Sequence, residues 1–253
     1  ELFKHAKDVN ITIFSTPFDN SAVNLLDKIG TPAFKISSFE ITDIPLIEHI
    51  AKKNKPILMS TGMANETEVN EAFRAIKKTG VNDLMLLHCV SAYPAKLSRS
   101  NLKMIPYLRE RFNVPVGLSD HTLGNEAAVA AITMGAVAVE KHFISERAKG
   151  GEDSSFSIEP KELRSLVDTL ASVWESLSGD IWARDGEEIL NTQLRRSLYF
   201  VKALERGQEI TEDSVKSIRP GFGLPPKYLK DIVGKYVSKR VEAGDRVEWA
   251  SIS

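Results

Sequence analysis

The chain has 253 residues, 42% of them hydrophobic, with 33 Lys and Arg against 34 Asp and Glu and a formal net charge of -1. That length suits one large core or a large and a small one, and the balanced charge removes any global electrostatic case for nucleic-acid binding. The single cysteine, Cys89, excludes an internal disulfide framework and suits a reducing cytosol. The most apolar stretch, 127–139, is shorter than the roughly 18 residues a bilayer span needs, so a cytoplasmic protein without a membrane partner is expected.

Residues 1–8 carry no signal-peptide pattern and read as the end of a helix. From there strands and helices alternate. Strands are predicted at 11–15, 33–37, 56–60, 84–88, 115–119 and 137–142, with helices at 22–29, 44–52, 66–78, 101–112, 125–134 and 160–177. Asn65 followed by Glu66 and Glu68 predicts a capped helix start, and Gly80 its end. Strict alternation implies a parallel sheet covered by helices, either doubly wound or barrelled. The α/β reading adopted is a (β/α)8 TIM barrel with six of its eight units present. A barrel typically runs to about 250 residues and these units end near 177, so about two units are expected upstream. A complete six-stranded open sheet is the alternative. Residues 1–179 are then a partial barrel, 180–194 a charged linker, and 195–253 a small β-rich domain with turns at Gly207, Pro220-Gly221, Gly223 and Gly244. Within it, Leu204-Glu-Arg-Gly-Gln-Glu-Ile210 is echoed by Val241-Glu-Ala-Gly-Asp-Arg-Val247, 37 residues on (241 minus 204), predicting two similar turn–strand pieces.

The candidate chemistry lies at the strand ends. Val116-Gly-Leu-Ser-Asp-His121 and Val137-Ala-Val-Glu-Lys-His142 are joined by a helix-patterned crossover, which places them side by side with both histidines at the C-terminal edge of the sheet. Alternation puts Ser119 on one face with His121, and Glu140 with His142. Two imidazoles with oxygen ligands suit a divalent metal ion, Mn2+ first, with Fe2+, Co2+, Zn2+ and Mg2+ as alternatives. Ser15-Thr-Pro-Phe-Asp19, Lys35-Ile-Ser-Ser-Phe-Glu40, Ser60-Thr-Gly-Met63 and His88-Cys-Val-Ser-Ala-Tyr-Pro94 add hydroxyls and a lysine at the same edge. Those are the donors and the charge of a phosphate pocket, although any one Ser or Thr is equally explained as a helix cap. His5 and His49 read as solvated helix positions and His88 as pocket wall. Cys89 reads as an unactivated thiol, since no sequence feature lowers its pKa. The loop 150–160, opened by Gly150-Gly151, is suited to close over a ligand. In it, Asp153 binds a metal through water, fixes a sugar hydroxyl, or only caps a turn.

In order along the chain, Ser15-Thr-Pro-Phe-Asp19, Lys35-Ile-Ser-Ser38, Ser60-Thr-Gly-Met63, Leu87-His-Cys89, Tyr93-Pro94, Gly117-Leu-Ser-Asp-His121, Glu140-Lys-His-Phe143 and Phe156-Ser157 resemble the sialic acid synthase family, and the tail from Ser197 resembles its antifreeze-like (SAF) domain. The resemblance implies condensation of phosphoenolpyruvate with an N-acetylated amino sugar. It implies metal-binding roles for His121 and His142, and a phosphoenolpyruvate pocket of Lys35, Thr16, Ser38, Ser60, Ser91 and Ser119. Tyr93, Glu140 and Asp153 would stand near sugar and metal, with Glu140 the candidate for proton transfer. Arg219 would reach the sugar site of a neighbouring subunit in a domain-swapped homodimer. Two strand-end motifs with which the family begins, Glu-Ile-Gly-x-Asn-His-like and Lys-Phe-Gln-like, are not present, in line with the unit count above. Gly151-Glu-Asp-Ser-Ser-Phe-Ser157 and Arg219-Pro-Gly-Phe-Gly-Leu-Pro-Pro-Lys-Tyr-Leu229 resemble most the branch that makes pseudaminic acid, with the neuraminate and legionaminate branches as alternatives. A non-catalytic carbohydrate-binding or antifreeze-like protein, with the barrel as scaffold, is the reading from another class.

Overall fold

Five short segments, Phe34–Ile36 (β1), Ile57–Ser60 (β2), Leu84–Cys89 (β3), Val116–Asp120 (β4) and Val139–Lys141 (β5), pair in chain order as one all-parallel sheet. A sheet covered on both faces is built from near-continuous apolar runs, and Ile57, Met59, Leu84, Leu86, Val116 and Leu118 are buried accordingly. The crossovers are helices: Asn20–Lys28 (α2), Ile44–Ala51 (α3), Glu66–Lys77 (α4), Met104–Phe112 (α5) and Glu126–Thr133 (α6), preceded by Leu2–Asp8 (α1) and followed by Pro160–Ser176 (α7). Their apolar stripes, Ile47 and Ile50 of α3 and Ala72 and Ile76 of α4 among them, close one continuous core against the strands. The α4 start is the one predicted. Asn65 Oδ1 accepts from Glu68 N at 3.1 Å and Glu68 Oε2 accepts from Asn65 N at 2.8 Å, a reciprocal cap in which the Asn contributes about 1 kcal/mol. The parallel order with alternating helices is the wall of a partial (β/α)8 barrel.

This computed structural model describes residues 1–253, in two units, Glu1–Ser178 and Gly179–Ser253. Two expectations about the sheet need correction. The strand predicted at 11–15 contributes a single bridge, Ser15 to Phe34. It meets a neighbour on one side only, and Ile11 stays 65% exposed. The strand predicted at 137–142 shortens to Val139–Lys141, paired with β4 alone.

In the second unit, the stretch predicted as a linker contains a helix, Gly186–Asn191 (α8), because Asp185 Oδ1 caps Glu188 N at 2.7 Å. Ser197–Phe200 (β6) and Val215–Ile218 (β7) pair antiparallel, and a one-turn helix, Leu229–Ile232 (α9), follows. The internal echo has a structural counterpart. Leu204 and Val241, its two first residues, exchange backbone hydrogen bonds of 3.0 Å in both directions. Gly207 and Gly244 both take positive φ, and Ile210 and Val247 are both fully buried. The two pieces thus pair with each other around one small core that includes Leu198, Phe200, Val215 and Ile232. No helix of either unit is long and apolar enough to cross a membrane.

Candidate active site at the ends of β3, β4 and β5

Register decides what meets at the rim. Ser119 of β4 pairs with Glu140 of β5, and Asp120 with Lys141. Ser119 Oγ donates to Glu140 Oε1 at 2.6 Å, and Lys35 Nζ, from β1, lies 3.3 Å from each Glu140 oxygen. One residue beyond Asp120 and Lys141, the rings of His121 and His142 stand 5.1 Å apart between centroids. Tyr93 packs on His121 at 4.4 Å and Phe156 on His142 at 4.9 Å. A cavity of about 120 Å³ opens among these groups, walled also by Ser38 and Ser60.

The pocket is rich in donors. Lys35 is 8% exposed, and its charge meets a carboxylate that is 42% exposed. Glu140 therefore shows that Lys35 and Ser119 converge on one anionic group. Ser60 Oγ, which lines the cavity, is buried without a hydrogen-bond partner, as is Ser100 Oγ outside it, so the Ser60 hydroxyl is free to bond a group that enters the pocket. Gly62 N donates to Ser38 Oγ at 3.0 Å. A Cβ at Gly62 would lie 2.3 Å from Ser91 Oγ and 2.7 Å from Ser38 Oγ, so only glycine lets the backbone share that corner with both hydroxyls. A buried ammonium with several hydroxyls fits a phosphate.

The histidines are held through one nitrogen each. His121 Nδ1 lies 3.0 Å from the Val90 carbonyl oxygen, which can only accept, so Nδ1 carries a proton and, in the neutral ring, the lone pair is on Nε2. His142 Nδ1 lies 3.3 Å from Asp153 Oδ2, which orients that ring in the same sense. Imidazoles tied through Nδ1 to an oxygen present Nε2 to a metal. Together with them, no third His, Cys, Asp or Glu side chain forms a ligand-spaced set. Two imidazole nitrogens are thus the donors that this rim offers a divalent ion. Burial, and then the charge of His121, hold the His142 pKa below the ordinary histidine value against the pull of Asp153. Burial also acts to lower His121, yet contacts with Cys89 and the Val90 carbonyl leave it raised. Cys89 differs from expectation. Burial pushes its thiol up, but hydrogen bonds with His121 and Ser38 and the His121 charge more than offset this, so the pKa is lowered. Nothing in the sequence places His121 beside it, because the contact spans β3 and β4.

Lys35, Ser38, Ser60, Tyr93, Ser119, His121, Glu140 and His142 are brought to one cavity. Ser91 abuts it through Gly62 and Cys89, whose Sγ lies 3.7 Å from Ser91 Oγ, and Asp153 stands behind His142. Thr16 is outside the wall. His88, expected as pocket wall, points away from it: strand alternation turns it to the helix side, where it is 4% exposed with Nε2 2.6 Å from the Ser100 carbonyl oxygen. Arg219 belongs to the second unit. A larger cavity, about 600 Å³, is lined by Arg147 and Glu162, but these two already neutralise one another at 2.9 Å.

Residues 1–181 match the NeuB family, and residues 195–253 match the SAF domain. The chain belongs to the NeuB family. Pseudaminic acid synthase of Helicobacter pylori is 39% identical over 245 residues, 96% of this chain and 72% of the relative. N,N'-diacetyllegionaminic acid synthase of Campylobacter jejuni is 36% identical over 98% of this chain and 75% of its own length. Among solved structures, the spore coat polysaccharide biosynthesis protein SpsE of Bacillus subtilis aligns with a TM-score of 0.68 at 29% identity, covering 100% of this chain and 76% of that one. For this NeuB chain, the expected family and its partial-barrel-plus-SAF fold are thereby borne out.

Proposed function

We propose that this NeuB-family chain condenses phosphoenolpyruvate with 2,4-diacetamido-2,4,6-trideoxy-altrose, giving pseudaminic acid and phosphate. The observation that carries this reading is the 39% identity to a pseudaminic acid synthase over 96% of the chain, and the lysine-and-hydroxyl pocket beside two Nε2-presenting histidines supports it. The enol carbon of phosphoenolpyruvate forms the new bond to the open-chain aldehyde carbon. Water adds to the former C2, and the C–O bond to phosphate breaks, so phosphate departs with its bridging oxygen. Lys35 with Ser38, Ser60 and Ser119 would bind the phosphate. Glu140, released from Lys35 as phosphate enters, would move the proton between water and the aldehyde oxygen. Tyr93 and Phe156 would keep bulk water from the rings they cover. A divalent metal on His121 and His142 would supply polarisation of the aldehyde oxygen.

Phosphate release from phosphoenolpyruvate with three aldoses side by side tests the substrate. The altro sugar should give the highest kcat/KM. A preference for the precursor of N,N'-diacetyllegionaminic acid would favour the second reading, which a 36% identical relative supports, and sugar binding without phosphate release by any aldose would favour a scaffold. Arg219 is proposed to serve the sugar site of a neighbouring subunit in a homodimer. Arg219→Ala mixed with His142→Ala should then recover part of the activity, and no recovery despite proven subunit exchange would return Arg219 to its own chain.

A further inference from the structure

Behind the two histidines, on the opposite face of the same strands, lies an ion pair that the chemistry above does not use. Asp120 and Lys141 are register partners, each immediately preceding a histidine. Alternation turns them to the helix side, where their side chains are 1% and 3% exposed. Lys141 Nζ donates to Asp120 Oδ2 at 2.8 Å, to the Thr122 carbonyl at 2.8 Å and to the Gly124 carbonyl at 3.2 Å. Three acceptors meet the three protons of an ammonium. The other carboxylate oxygen, Oδ1, accepts from Thr122 N and Thr122 Oγ1, both at 2.8 Å. The segment 120–124 is therefore wrapped around one cation.

Stability alone is a poor account of this arrangement. Desolvating two ions costs several kcal/mol each, and well-packed apolar residues often serve a fold as well or better. What distinguishes the pair is its place. β5 is three residues long, its residues are only half-buried, and its one strand partner is β4. The backbone ladder, with Val137 N donating to the Val116 carbonyl and Leu118 N to the Ala138 carbonyl at 2.9 Å each, sets the register at the start of β5, and the Asp120–Lys141 pair is the tie on the helix side at its end, one residue before the two histidines.

We propose that Asp120 and Lys141 are positioning residues that lock the ends of β4 and β5 so that His121 and His142 stand at working separation. The proposal rests on the reading of the two histidines as working groups of a synthase site, and its test has a readout independent of turnover. Two backbone amides report directly on the histidines: Ala95 N donates to the His121 carbonyl at 2.9 Å and Ile158 N to the His142 carbonyl at 2.8 Å. In Asp120→Asn/Lys141→Met, which removes both charges while keeping most of each side chain's bulk, hydrogen exchange at these amides should quicken by about tenfold or more as local opening of the strand ends becomes easier. The Leu86 amide in β3 should be unchanged. In the same variant kcat should fall by about tenfold or more, with KM for phosphoenolpyruvate within about twofold, because the Lys35 pocket is untouched. Thr122→Val, which removes the hydroxyl hydrogen bond to Asp120 Oδ1 and leaves both charges paired, is the milder change; it should shift both readouts in the same direction and keeps the test open if the double variant does not fold. Wild-type exchange at Ala95 and Ile158, or faster exchange with kcat unchanged, would overturn the proposal. A wild-type protein that releases no phosphate would instead refute the synthase reading, leaving the exchange rates to decide the positioning role by themselves.

Discussion

The two faces of the β4–β5 rim are made by alternate residues of the same strands, yet they are bonded in opposite ways. In front, Lys35 meets Glu140 at 3.3 Å on a carboxylate that is 42% exposed, and Ser60 Oγ has no partner at all. Behind, Lys141 and Asp120 meet at 2.8 Å, are almost fully buried, and have their polar atoms satisfied by segment 120–124. A ligand site needs donors still open to a newcomer, whereas a brace needs them closed. At this rim the front donors are partly open and the Asp120–Lys141 pair behind them is saturated.

Variants that strike one face at a time sharpen this contrast. The largest effect belongs to the front: His121→Ala or His142→Ala should abolish phosphate release and weaken divalent-metal binding measured by calorimetry, with the circular dichroism spectrum unchanged. Metal affinity equal to wild type would remove the ligand role. Lys141→Met alone strikes the back. Leaving Asp120 buried and uncompensated should destabilise the protein by about 3–5 kcal/mol, read as a lower denaturant midpoint, and a midpoint equal to wild type would show that Asp120 finds other support. The smallest change is Lys35→Met. Loss of charged hydrogen bonds worth about 1.5–3 kcal/mol should raise KM for phosphoenolpyruvate about 10- to 100-fold, with little effect on KM for the sugar. Equal shifts for both substrates would make Lys35 a structural residue.

The front face was legible in the sequence and the back face was not. Period-two alternation and the common strand edge place Ser119, His121, Glu140 and His142 together without coordinates. Strand order was equally legible, since short crossovers force sequential neighbours. Asp120 and Lys141 stand inside the same two motifs, but their pairing depends on the β4–β5 register, which a sequence pattern leaves open by a residue either way. Cys89 beside His121 and Ser91 against Gly62 are contacts between strand ends and loops, set by loop conformation rather than by periodicity. The helix at Gly186–Asn191 was hidden by its charged composition, its only local signal being the capping Asp185. The strand expected at 11–15 is reduced to one bridge, Ser15 to Phe34, because an apolar run says nothing about whether a partner lies on both sides.

Register also governs which changes of chain length the site can survive. An extra residue anywhere in 117–120 would carry His121 about 3.3 Å along the strand and turn it to the helix face, because side chains alternate with each step. The crossover obeys no such rule. Past Gly124, whose carbonyl still holds Lys141, the chain at Asn125 is half-buried and outside any strand, so one or two added residues there can bulge outward while β4 and β5 stay in step. Natural length variation should therefore gather in the crossover and stop short of the two strand ends, however freely the residues between them change.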